Sequence, residues 1–260
     1  MQSVHRLLDI IAEVAKGNYS NDIMDLTTEE HPETVRLIAE AIGMMIVKVE
    51  AREYQLEMLV EELRQLNLKI KENTIKTVSA MAHALAARDT YTEGHAARVG
   101  SLTGRIALCM EMSEEDAESI RLAGILHDIG KIGFPDLLFQ AHEGQNPPEL
   151  VKKITKHPAA GAEILKDLDF LGNCIELVHS HHERLDGKGY PRRLKADDIS
   201  VGARIIAVAD SYDAMTTDRP YQKALSPESA IDILKRNVGT RWDEDCVKAL
   251  ETVLKESNII

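Results

Sequence analysis

The stretch VRLIAEAIGMMIVKVEAREYQLEMLVEELRQLNLKI, Val35 to Ile70, decides the fold class. Along it Val35, Ile38, Ile42, Met45, Val49, Arg52, Leu56, Leu59, Leu63, Leu66 and Ile70 alternate at spacings of three and four, with Arg52 the polar member. A strand would repeat every two residues and a solitary helix every 3.6. A repeat of 3.5, sustained over about five heptads and flanked by Glu, Lys and Arg, predicts a coiled coil. A long amphipathic helix lying on its own domain is the competing reading. The coil makes a parallel homodimer the expected state.

Before this run, Leu7, Leu8, Ile11 and Val14 share one helical stripe over Val4 to Ala15. Gly17-Asn18 ends that helix with residues that tolerate a left-handed cap. A polar connector follows whose large apolar residues are Ile23, Met24 and Leu26, and Pro32 stands where the next helix begins. Helix, connector with spaced aliphatics, then a helix running into a coil resembles a HAMP signal-relay module over residues 1–52, carried by AKGNYSNDI (Ala15 to Ile23) and the Glu33-to-Val49 helix. The heptads of 53–75 would then be a linker to a domain over 76–260. HAMP modules normally follow a membrane helix, so the chain is either a relay without one or the cytoplasmic part of something longer.

Past about Lys76 the heptad fades into helices with short loops. Ser113 followed by Glu114, Glu115 and Asp116 is an N-cap with an acidic first turn, opening a helix through His127. Ser226-Pro227-Glu228 opens another. Gly130, Gly133-Phe134-Pro135 and Asp186-Gly187-Lys188-Gly189-Tyr190-Pro191 punctuate the loops. No period-2 strand and no internal repeat is present, and the predicted class is all-α: a helical bundle preceded by a helix pair and a long coiled-coil helix.

The net charge of −12 argues against DNA, RNA or an anionic membrane as partners. It leaves room for a small anion, because a metal site brings its own positive charge. Cys109, Cys174 and Cys246 form no metal spacing and predict a reducing, cytoplasmic setting. The opening residues carry no apolar leader run, and no stretch of about 18 apolar residues spans a membrane.

The 10 histidines are unevenly placed. His95, His127, His157, His179, His181 and His182 fall in segments that also hold carboxylates, with Asp128 beside His127 and Asp210 in ARIIAVADSYDAM. Imidazole with carboxylate and no thiolate is a ligand set for Fe, Mn or Zn. Read as neighbours on one helix, His127 and Asp128 would point about 100° apart, so that they straddle one ion or let the aspartate bridge two. A buried histidine in a core is more often structure than ligand; only the concentration of these groups shifts the balance to a metallohydrolase. His5, His31, His83 and His142 sit outside every motif and read as surface or packing residues.

ARDTYTEGHAARV (Ala87 to Val99), LAGILHDIGKIG (Leu122 to Gly133), HPAAGAEIL (His157 to Leu165), HHERLDGKGYP (His181 to Pro191) and ADSYDAMTTDRPY (Ala209 to Tyr221) resemble, in order, the motifs of the HD-GYP family, bacterial cyclic di-GMP phosphodiesterases of the HD phosphohydrolase group. The resemblance covers residues 76–260. It implies that His95, His127, Asp128 and Asp210 hold one divalent ion and that Asp128, His157, His181 and His182 hold a second, Asp128 serving both. Iron or manganese leads, with zinc, nickel or magnesium as alternatives. It implies a phosphate contact and catalytic part for Lys131, a second phosphate contact for Arg219, and a substrate-lining role for Tyr190 in the Gly189-Tyr190-Pro191 loop, which the family also uses toward GGDEF-domain proteins. Two positions depart from the pattern. Tyr91 replaces the glutamate that gives some members a third metal, and Gln222 stands where a basic residue is usual, which puts one phosphate contact in doubt.

The implied reaction is hydrolysis of cyclic di-GMP to pGpG, with GMP from a second cut. The alternatives are hydrolysis of 3′,3′-cGAMP or another nucleotide, and an adaptor that binds partner proteins with turnover incidental. Asp213, one turn from Asp210, reads equally as a contact to water at the site or a structural hydrogen bond, and His179 as an outer support or a surface residue.

Overall fold

The computed structural model describes residues 2–88, 94–134, 152–218 and 223–260. Among them every regular element is helical, and the extended pairings are two isolated bridges, Asp186 with Lys195 and Val238 with Trp242. The all-α expectation holds. No helix among the described residues is long and apolar enough to cross a membrane.

The chain divides into two compact units, Met1–Glu72 and Asn73–Ile260. In the first, α1 (Gln2–Val14) and a 3-10 turn (Asn21–Thr27) pack on the beginning of α2 (Glu33–Arg88). Ser20 caps the turn by accepting from the Asp22 amide at 3.1 Å, and Gly17 ends α1's trailing turn at φ +86°. Leu7 and Ile10 of α1 and Ile23 and Leu26 of the turn are buried with Val35, Ala39 and Ile46 of α2, and Ile42 packs against them. This stripe has the ordinary helical period and shares only part of the 3.5 seam, because Ala39 and Gly43 are small enough to admit the connector: a Cβ on Gly43 would lie 3.4 Å from Met24 Sδ. The seam beyond it stays uncovered, with Leu56, Leu59, Leu63, Leu66 and Ile70 all more than half exposed.

The second unit is a bundle around α3 (His95–Cys109), which packs on α4 (Glu114–Leu126), α7 (Val201–Thr216) and α9 (Glu244–Glu256). Its core is aliphatic: Val99, Ile106, Leu126, Ile205, Ile206, Leu250 and Leu254 are buried. The helix starts are chemically marked. Ser113 accepts from the Asp116 amide, Ser226 from the Ser229 amide at the head of α8 (Pro227–Arg236), and Asp243 from the amides of Asp245 and Cys246. Two shorter helices, α5 (His157–Leu165) and α6 (Cys174–Ser180), cross one end of the bundle.

One local expectation is corrected. α4 stops at Leu126 and Asp128 lies outside any helix at φ −96°, ψ 3°, before a 3-10 turn (Ile129–Gly133), so His127 and Asp128 are not neighbours on a continuing helix. The cause is next door. The chain at Gly130 passes so close to α5 that a Cβ there would sit 2.0 Å from the His157 carbonyl oxygen and 2.5 Å from the Gly161 amide nitrogen. Turning out of α4 brings the 3-10 turn against the start of α5, and Asp128 thereby faces His157.

Candidate metal centre

Seven of the residues named from the sequence meet at this end of the bundle. His95 begins α3, His127 and Asp128 follow α4, His157 begins α5, His181 and His182 follow α6, and Asp210 lies in α7. His95, His127, His157 and His181 are buried. His95 Nε2 lies 3.3 Å from Asp210 Oδ1, His127 Nε2 lies 3.4 Å from Asp128 Oδ2, and His157 Nε2 lies 3.2 Å from Asp128 Oδ1. The ligand-capable atoms gather into two groups, His95 with His127 and Asp128, and His157 with His181 and His182.

The tautomers follow from the hydrogen bonds. His127 Nδ1 is 2.8 Å from the Gly124 carbonyl, His157 Nδ1 is 2.8 Å from that of Ile154, and His181 Nδ1 is 2.7 Å from that of Val178. A carbonyl can only accept, so each Nδ1 carries the proton and each Nε2 is left with a bare lone pair. Those lone pairs are aimed inward. His157 Nε2 and His181 Nε2 face each other at 3.1 Å with no proton to share between them. Asp128 Oδ1 is buried in the same space with no hydrogen-bond donor. Buried acceptors turned on one another are costly unless something positive stands among them. Divalent cations fit: separations of 3.1–3.4 Å are what donors about 2.0–2.2 Å from a shared ion can span.

The electrostatics agree. Burial pushes His157 down to about 4 and His182 down to about 3, and drives His181 well below the imidazole range, so these rings stay neutral and ligand-ready. Burial also opposes the charge on Asp128 and Asp210, but neighbouring groups outweigh it: the Lys131 ammonium leads at Asp128, and a hydrogen bond from His95 leads at Asp210, holding both carboxyls ionised. His95 moves the other way. Burial disfavours its charge, yet the Asp210 and Asp213 carboxylates raise it to about 9.

Asp213 is the supporting residue whose part the sequence left open. Its Oδ2 accepts from His95 Nδ1 at 2.7 Å, and its two oxygens take Arg98 Nε and Nη2 at 2.6 and 2.9 Å. It therefore fixes the ring so that Nε2 meets Asp210. Removing such an outer partner costs about 10–100-fold in metal affinity. Asp213→Ala is expected to show that loss in titration against a competing chelator; unchanged affinity would mean that His95 is held by other means.

Lys131 Nζ pairs with Asp128 Oδ2 at 2.5 Å, and Tyr190 leans over His182 with ring centroids 4.8 Å apart. His179 is in neither group of donors; burial and then the Arg192 charge lower its pKa. Glu183, next to His182 in sequence, is a buried clamp: its oxygens accept from the Arg192 amide at 2.6 Å and the Leu194 amide at 2.9 Å, tying down the chain after Tyr190-Pro191. Arg219, Tyr91 and Gln222 lie outside the described residues.

A helical bundle whose buried end turns imidazole and carboxylate donors on one another fits a divalent metal site. The HD domain family matches residues 79–246. Among characterised relatives, a 3′3′-cGAMP-specific phosphodiesterase of Vibrio cholerae is 35% identical over 68% of this chain and 38% of its own length. A cyclic di-GMP phosphodiesterase of Thermotoga maritima is 40% identical over 65% of this chain and 46% of its own. The chain thus spans less than half the length of these relatives. A crystal structure of a cyclic GMP-AMP-specific phosphodiesterase from V. cholerae shares the fold at TM-score 0.57 and 18% identity, over 71% of this chain and 49% of that one. So does an HDGYP protein of Bdellovibrio bacteriovorus, at TM-score 0.52 and 23% identity over 62% of this chain and 51% of that one. The chain belongs to the HD domain family and, with its HHERLDGKGYP block intact, to the HD-GYP branch.

Proposed function

We propose that the chain is a two-metal phosphodiesterase that opens cyclic di-GMP to pGpG, with a second cut to GMP as the further step. The observation that carries this reading is the set of inward, unprotonated Nε2 atoms arranged about the donorless Asp128 Oδ1. The 40% identity to a cyclic di-GMP phosphodiesterase supports the substrate class. His95, His127, Asp128 and Asp210 would hold one cation and Asp128, His157, His181 and His182 the other, iron or manganese first among the candidates. When bound, such ions supply a water acidic enough to ionise near neutral pH and positive charge beside the phosphate.

The chain's own residues do the rest. Asp213 holds His95 in register, and the backbone carbonyls of Gly124, Ile154 and Val178 do the same for His127, His157 and His181. Lys131, partly exposed at the rim and paired with Asp128, would turn its ammonium to the non-bridging oxygens as charge builds on them, the kind of stabilisation that usually contributes most. Tyr190 would wall one side of the bound nucleotide, and Arg219 would add a second phosphate contact.

A second substrate reading, 3′,3′-cGAMP, is favoured by the 35% identical V. cholerae relative. Metal ligands see phosphate rather than base, so rates decide. Turnover of cyclic di-GMP should exceed that of 3′,3′-cGAMP, and both should far exceed that of bis(p-nitrophenyl) phosphate. A reversed order of the cyclic dinucleotides would establish the second reading. Equal rates on all three would defeat both.

Residues 1–52 would act as a HAMP-like relay, 53–75 as the linker coil and 76–260 as the phosphodiesterase domain, with GGDEF-domain proteins as candidate partners of the Gly189-Tyr190-Pro191 loop. The uncovered Leu56, Leu59, Leu63 and Leu66 support a homodimer through the coil. Leu59→Asp with Leu63→Asp is expected to turn a dimer into a monomer by light scattering; a wild-type chain already monomeric at micromolar concentration would remove this part of the proposal.

A further inference from the structure

Beside the metal centre, and sharing His181, His182 and Tyr190 with it, lies a cavity of about 270 Å³. Its remaining wall brings Arg184 and Lys188, from the loop after α6, against Arg241 and Trp242, from the turn between α8 and α9. This is a concentration of positive charge in a chain whose net charge is −12. Glu183 also lines the cavity and keeps its negative charge, with its two oxygens turned to the Arg192 and Leu194 amides. Arg184 is answered by Asp186, at 3.0 and 2.7 Å. Lys188 and Arg241 form no ion pair within 4.0 Å among the described residues, although the Asp186 carboxylate acts on both at longer range.

Arg241 is also held in place. Its Cζ lies 4.6 Å from the centroid of the Trp242 ring, and Trp242 is in turn buried and anchored by Nε1 donating to Ser211 Oγ at 3.1 Å. Stacking of this kind fixes the guanidinium plane and leaves its edge, with paired N–H donors, for a planar or tetrahedral anion. Burial, followed by the charge of Arg184, lowers the Arg241 pKa, as expected of cations crowded together. The volume is at the small end of ligand pockets, which run to about 300–1,000 Å³, and suits one nucleotide unit rather than two.

We propose that this cavity receives the second phosphate of the cyclic dinucleotide, the one not being cut, with the Arg241 fork and the Lys188 ammonium as its contacts. The inference rests on the reading of the metal centre as a cyclic dinucleotide phosphodiesterase. It adds the reason a two-phosphate ring would be preferred to a simple diester: while one phosphate lies at the metal centre, the other is gripped on the far side of His182 and Tyr190. Sequence alone could not show it, since Arg241 stands 57 positions beyond Arg184 with no motif between them to join the two.

The test compares R241Q with the unaltered full chain, metal-loaded, on cyclic di-GMP and on bis(p-nitrophenyl) phosphate, which has a single phosphate. Loss of a charged hydrogen-bonding partner predicts that the ratio of kcat/KM on the first to kcat/KM on the second falls about tenfold or more, mostly through KM on cyclic di-GMP. K188Q should move the ratio in the same direction by less. An unchanged ratio in both variants overturns the proposal. Equilibrium binding of 5′-GMP is measured alongside, with a rise in Kd of about tenfold expected for R241Q. If the unaltered chain does not cut cyclic di-GMP at all, the functional reading fails, and the GMP measurement still judges the cavity: an unchanged Kd shows that Arg241 binds no phosphate.

Discussion

Asp128→Ala is expected to bring turnover to background and to strip the metal, while the helical circular dichroism stays as it was. The loss should exceed the about 10–100-fold cost of removing an outer partner such as Asp213, because Asp128 meets both groups of histidines. Its Oδ2 lies near His127 and Lys131 and its Oδ1 near His157, so a methyl group in its place deprives both halves of their shared anion. The fold should survive, since the residue lies between α4 and the 3-10 turn and supports no helix. Metal analysis and activity on the same preparation check this. Substantial hydrolysis by the variant would refute the role given to Asp128.

The second large effect comes from a residue with no functional group. Gly130→Ala would place a methyl 2.0 Å from the His157 carbonyl oxygen and 2.5 Å from the Gly161 amide nitrogen, both backbone atoms of α5 that cannot swing aside. Either the 3-10 turn or α5 must move, separating Asp128 from His157. Overpacking of this kind costs about 1–3 kcal/mol or more. In a domain of this size about 2 kcal/mol lowers the Tm by roughly 4–8 °C. Metal content should fall as well, because the two groups of donors no longer meet. Gly133→Ala is the control: nothing lies within 4 Å of a Cβ there, and it should leave both quantities unchanged. Normal stability and metal content in Gly130→Ala would show that the contact between the turn and α5 does not set the site.

Much of this was legible in the letters. Caps at Ser113 and Ser226 depend on neighbours three residues away, and the structure has them where the sequence put them. The seven candidate ligands were found because each stands in a local block, and the structure brings the blocks to one end of the bundle. What the sequence hid are relations between distant positions. His95 and Asp213 are 118 residues apart, and neither periodicity nor spacing connects them. Asp128 was misplaced on a helix because the steric pressure on Gly130 comes from α5, a separate element. The heptad seam overstated the uniformity of α2, whose first turns also receive α1 and the connector through Ala39 and Gly43, small residues that a list of large apolar positions passes over.

Distant imidazole and carboxylate groups converge around Asp128, where two cations are proposed to be held. Counting metal ions per chain tests this most directly, on protein purified without oxygen so that ferrous ions persist. Two ions per chain are expected, one for each group of donors, both lost in Asp128→Ala. Protein that cuts cyclic di-GMP at full rate with no bound metal, or whose metal content is untouched by Asp128→Ala, would contradict it.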